Sequence, residues 1–81
     1  MPRYFFDIDD GRLLVHDSEG TECASVLEAR AEAIQALAQI MKDDTPERDN
    51  VRYSVTVRRA DGAPVYRTSL SLAGTWLPLP R

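Results

Sequence analysis

The sequence predicts an α+β fold of β-β-α-β-β order: a four-stranded antiparallel sheet made of two hairpins, with one helix packed across a single face. Three observations predict it. Asp9-Asp10-Gly11 and Asp61-Gly62 each sit between runs of strand-forming residues, the signature of a tight reversal. Val51, Tyr53, Val55 and Val57 alternate with Arg52, Ser54, Thr56 and Arg58, which is the period of a strand with one buried and one solvated face. Between the hairpins, Val26 to Lys42 contains no Gly or Pro, is rich in alanine, and repeats its apolar residues at helical spacing.

The elements follow in chain order, with boundaries good to about 2–4 residues. Tyr4-Phe5-Phe6 and Ile8 place the first strand over about residues 3–8, and Leu13-Leu14-Val15 the second over about 12–16. Gly11 supplies the positive φ of the turn between them, while Asp9 and Asp10 bond their own backbone. Asp17-Ser18-Glu19-Gly20 is a further turn. Ser25 and Glu28 match the S-x-x-E capping box, so the helix spans about 26–43 and stops before Thr45-Pro46. Strands at about 51–59 and 64–71 form the second hairpin, with Pro64 at a strand start where a missing N–H costs least. Residues 72–81, carrying Gly74, Pro78 and Pro80, read as an irregular tail of the one domain that spans 1–81.

On a helical wheel Leu27, Ile34, Leu37, Ala38 and Met41 share one face opposite Glu28, Glu32, Gln35, Gln39 and Lys42. With Tyr4, Phe6, Ile8, Leu13, Val15, Val55 and Val57 they make the predicted core. Arg30 falls in the middle of that apolar face, where it either snorkels past the sheet edge or takes a carboxylate presented by the hairpin, with Asp17 and Asp7 as the leading partners. Ala29, Ala33, Ala36 and Ile40 group beside it, and small side chains of this kind permit another helix to approach. Phe5 alternates with Tyr4 and Phe6 and so falls on the outer sheet face. Trp76, Leu77 and Leu79 are too apolar to stand free in water, so Trp76 is expected to pack on the domain or on a second copy. Phe5, Ala29, Ala33, Ala36, Ile40 and Trp76 are therefore the candidate interface.

Composition bounds the function. The chain has 81 residues, 13 acidic against 10 basic, a net charge of -3, one Cys and one His. A core this small leaves stability marginal, and neither a disulfide nor a Cys/His metal staple is available within the chain. Dimerisation is the remaining remedy. One unpaired Cys and no apolar run of about 18 residues point to the cytosol and away from the membrane. The acidic balance disfavours a general polyanion binder.

Few residues offer chemistry. His16 has no second imidazole or thiol nearby in sequence, and Cys23 lies before the helix with no visible base, so a buried filler is the reading for the thiol. The carboxylates Asp7, Asp9, Asp10, Asp17, Glu19 and Glu22 match no EF-hand loop. No catalytic set, cofactor site or metal site is expected, and the chain is read as no enzyme. Arg52, Arg58, Arg59 and Arg67, all from the second hairpin, are the candidate nucleic-acid contacts.

The opening Met1-Pro2-Arg3-Tyr4-Phe5-Phe6, the Asp10-Gly11 turn, the Asp17-Ser18-Glu19-Gly20-Thr21-Glu22 segment and Ala29-Arg30-Ala31-Glu32-Ala33 together resemble a family of short bacterial proteins, common in rhizobia and their relatives. That family is known only as a domain of unknown function. The resemblance covers nearly the whole chain to Leu70 and implies a small bacterial cytoplasmic protein, with no activity or catalytic residue to carry over. Two departures stand out: many relatives resemble M-P-R-Y-F-F-H where this chain has Asp7, and the Trp76-Leu77-Pro78 tail is not a general feature. The expected function is a non-enzymatic protein-interaction module that self-associates as a homodimer and binds a protein partner. The alternative is an antitoxin-like nucleic-acid-binding regulator that uses the four arginines.

Overall fold

The computed structural model describes residues 2–79; Met1 and the last two positions of the predicted tail, Pro80 and Arg81, lie outside the described residues. In order come β1 (Arg3–Asp9), β2 (Leu14–Val15), β3 (Thr21–Glu22), α1 (Val26–Asp43), β4 (Asn50–Arg59) and β5 (Pro64–Ala73). All pairings are antiparallel. The strands follow the spatial order β2-β1-β4-β5, with β3 also on β1, and α1 lies over β4 and β5. The architecture is α+β.

The sheet has five strands where the sequence predicts four: the second strand, predicted over about 12–16, is cut to Leu14–Val15, and Thr21–Glu22, beyond the predicted turn, forms an additional short strand. Asp10 takes the N–H groups of Arg12 and Leu13 on its Oδ1, which holds Leu13 in the turn and shortens β2 to two residues. β2 pairs Val15 with Ile8, and the chain then leaves β1, turns through Asp17–Gly20, and returns as β3 with Thr21 opposite Tyr4. Gly20 makes that return possible: its φ is +74°, and a Cβ there would sit 2.9 Å from the Tyr4 carbonyl oxygen.

The hairpin of β4 and β5 is the long element. Tyr53 faces Leu70, Val55 faces Thr68 and Val57 faces Tyr66, so one side of both strands turns towards α1. The strand continues two residues past the predicted end, through Leu72 and Ala73, and the Gly74 N–H then donates to the Asp49 carbonyl.

The helix begins as its capping signal requires. Ser25 Oγ accepts the Glu28 N–H at 3.2 Å, while Glu28 Oε2 accepts the N–H of Ala24 instead of Ser25. Its buried face differs from the one predicted. Ala29 and Ala33 are fully buried and Leu37 nearly so, with Ile40 and Met41 packed beside them on Val51, Tyr53, Val55, Val57 and Cys23. Leu27, Ile34 and Ala38 are exposed. The helix is thus turned by roughly a quarter of a revolution from the predicted face at 3.6 residues per turn. The physical reason lies in volume. The sheet already fills the interior with Val, Tyr, Phe and Ile side chains, so the helix backbone gains more contact by coming close on its alanine ridge than by standing off on leucine.

Two further members of the predicted core, Leu13 and Val15, are exposed because α1 does not reach over β2. Tyr4, Phe6 and Ile8 are half-buried at the border of the core. Among the described residues, no helix is long and apolar enough to cross a membrane.

Candidate functional site

Two surfaces stand out, one polar and one apolar. The polar one begins with Asp7, on the sheet face away from α1 and yet only 5% exposed. Arg58 covers it with two bonds, Nε to Oδ2 at 2.6 Å and Nη2 to Oδ1 at 3.0 Å, and donates a third to the Asp17 carbonyl. The Asp17 N–H closes the ring on Asp7 Oδ1. The Arg58 hydrogen bonds are the chief reason the Asp7 carboxyl sits below its usual range, against the upward push of burial. The Arg58 guanidinium also lies 5.3 Å from the Phe5 ring centre, within cation–π range.

Asp17 holds the loop to the strand. Its Oδ1 accepts the N–H groups of Glu19 and Gly20, and its Oδ2 accepts the Phe6 N–H at 3.1 Å. Phe6 lies in β1 between the residues that β2 and β3 pair, so this carboxylate occupies the place of a missing strand. Burial pushes the Asp17 carboxyl up, and the three backbone N–H groups of Gly20, Phe6 and Glu19 together outweigh it and hold it low.

His16 is largely exposed, with Nδ1 at 3.5 Å from Asp7 Oδ2, at the edge of an open cleft of about 430 Å³ that Thr56, Arg58 and Arg67 also line. Cys23 lies in the hydrophobic core, where burial first, and then Glu28 and Glu32, push the thiol up. A thiol raised in this way stays protonated and is a poor nucleophile. No group of three His, Cys, Asp or Glu side chains among the described residues is placed to hold a metal ion.

The apolar surface runs along α1 and β5. Glu32 and Ala36 border a cleft on the β1 side with Phe6, Ile8 and Val15, so the flank across the buried ridge, with Leu27, Arg30 and Ile34, hangs over the β5 side. On that side Leu70 and Leu72 point to the same face of the sheet as the core residues Tyr53 and Val51 opposite them. All four apolar residues are exposed, Leu27 by 73%. Beyond them Trp76, Leu77 and Leu79 are 76–89% exposed. Principal extents of 61 × 21 × 19 Å describe a long, narrow molecule.

A domain of unknown function, DUF6894, matches residues 3–71, most of the chain. The chain belongs to the DUF6894 family. No curated protein matches it, and no solved structure does. The matched DUF6894 region ends within β5, so the exposed tail from Gly74 to Leu79 lies outside it.

Within this DUF6894 domain the residues singled out by sequence are distributed differently from expectation. Arg30 is exposed and makes no ion pair with Asp17, because the turned helix carries it outward; Arg58 is the cation that Asp7 receives. Ala29 and Ala33 belong to the core and offer no interface, while Ala36 and Ile40 are half-buried beside them. Phe5 lies half-exposed on the outer face, and Trp76 does not pack on its own domain. Of the four arginines, Arg58 is held by Asp7 and Arg59 by Asp61, whereas Arg52 donates to Ser71 and Arg67 to Thr56. Sequence reasoning missed the long free side of β5. The signal was present in Val65-Tyr66-Arg67-Thr68-Ser69-Leu70-Ser71-Leu72, which holds one charge in eight residues.

Proposed function

We propose that this DUF6894 protein is a non-enzymatic interaction module that self-associates. The observation that carries the reading is the apolar surface left uncovered by the fold: Leu27, Ile34, Leu70 and Leu72 on the domain, and Trp76, Leu77 and Leu79 on the tail. Burying one such side chain is worth about 1.5–3 kcal/mol, which for a small domain of marginal stability is a large return. The chemistry of the polar surface supports the same view. Asp7, Asp17 and Arg58 saturate one another, and the protonated Cys23 thiol sits in the core while His16 stands near Asp7.

The antitoxin-like alternative is weakened by charge. Two of its four arginines already neutralise carboxylates, on a chain whose net charge is -3.

The test is a sedimentation-equilibrium mass over a wide range of concentration, read beside the emission of Trp76, the single tryptophan. The expected result is a rise from monomer to dimer mass. A monomer mass throughout would overturn the reading.

A further inference from the structure

We infer that a second copy of this chain pairs with the free side of β5, antiparallel, to make one continuous sheet across both copies with the two helices on the same face. This rests on the self-association reading and deepens it by naming the surface and its occupant.

The first argument is the backbone. β5 is ten residues long, ends the spatial order β2-β1-β4-β5, and bonds to β4 on one side alone. Among the described residues, alternate N–H and C=O groups along its other side have no strand partner, which makes it a template for another strand. Proteins that must stay single blunt such an edge with lysines, inward charges or an added covering element. β5 has none of these: Arg67 is its one charge, Pro64 stands at its first residue, and its register shift lies at the hairpin end opposite Val57 and Arg58.

The second argument is self-complementarity. A two-fold axis normal to the sheet matches residues of like parity, so Tyr66, Thr68, Leu70 and Leu72 of one copy meet the same set from the other on the helix side. Arg67, Ser69 and Ser71 meet on the other side, where hydroxyls outnumber the charge. Above the joined strands the flanks of the two helices face each other with Leu27 and Ile34. A basic strand would find no counter-charge on β5 and an acidic one only Arg67, too little to hold a strongly charged partner.

The third argument is size. Leu70, Leu72, Val65 and Ile34 are each 37–40% exposed, and with Leu27 and the strand backbone they offer on the order of 600 Å² per copy, or about 1,200 Å² in all, the lower end of stable specific interfaces. The tail adds to this because Trp76 follows Ala73 by three residues and leaves the domain from the very strand that pairs. Each copy therefore delivers its tryptophan to the other.

Hydrogen exchange of the intact chain tests this in dilute and concentrated solution, with the β4 amides as internal reference. Those β5 amides not bonded to β4 should exchange about 15-fold more slowly at a total concentration roughly 100-fold above the dissociation constant, where about 7% of the chain is still single. Leu70→Lys, at a position open to solvent in the single copy, should give a folded monomer by sedimentation. A dimer in which those amides exchange at one rate at both concentrations would overturn the inference while leaving self-association standing. A monomer at every concentration would overturn both. Should Leu70→Lys fail to fold, the exchange rates of the unaltered chain decide by themselves.

Discussion

Asp17→Ala is the perturbation that most directly tests how the loop is tied to the sheet. The substitution removes three acceptor contacts at once, those to the backbone N–H groups of Phe6, Glu19 and Gly20. The Phe6 N–H is half-buried between the two short pairings of β1, so leaving it without an acceptor costs about 1–2 kcal/mol. The two loop bonds are nearer to solvent and are worth about 0.5 kcal/mol each. The expected total is about 2–3 kcal/mol, which for a domain of this size lowers Tm by roughly 10–20 °C. Asp17→Asn keeps one acceptor oxygen, enough for either the loop or the strand but not both, and should cost about 1–2 kcal/mol. Urea unfolding followed by far-ultraviolet circular dichroism is the suitable assay, because Trp76 is already exposed in the folded chain and would report unfolding poorly. All variants must be compared at one low protein concentration, so that association does not contribute to the midpoint. An Asp17→Ala protein within about 0.5 kcal/mol of the parent would refute the claim that this carboxylate stands in for a strand.

Two other predictions follow from the packing and the charges. Ala33→Leu, at a fully buried position against the sheet, should destabilise by about 1–3 kcal/mol, whereas Arg30→Ala should stay within about 0.5 kcal/mol; the same denaturation assay checks both, and the reverse order would restore the unrotated helix face. Asp7 and Asp17 both have carboxyls held below their usual range, so their contribution is fully present above the unfolded value of about 3.9 and is lost as pH falls through the folded values. Urea midpoints measured from pH 7 to pH 2 should therefore lose nothing on their account down to about pH 5, then fall, and the fall should shrink in Asp17→Ala.

The architecture was legible because several local signals pointed the same way. Ser25 and Glu28 mark a helix start that the chain forms, and the alternation from Val51 to Val57 names the buried side of β4 correctly. The helix face was harder, since a wheel weighs side chains by hydrophobicity and so prefers leucine to alanine as the inward residue. Arg30 was the visible sign of that error: a charge in the middle of an apolar face means a snorkelling side chain, a buried ion pair or a wheel that has been turned, and the last holds. Its supposed partner Asp17 was rightly noticed and wrongly employed. A short polar side chain that accepts backbone N–H groups leaves no trace in hydrophobic period, and neither does the pairing of Asp7 with Arg58, 51 residues away. The uncovered side of β5 required strand order, which no local pattern supplies.

The split of the β2 and β3 segment has a consequence for how far this sheet can grow. Two-residue ribbons with a carboxylate wedged between them offer an incoming chain no uninterrupted row of donors and acceptors, so the sheet is sealed along that border. Extension is possible from one border only. A second identical molecule paired at β5 would close the assembly instead of seeding a filament, and would keep a small protein with a bare ribbon out of the aggregates that such ribbons otherwise nucleate.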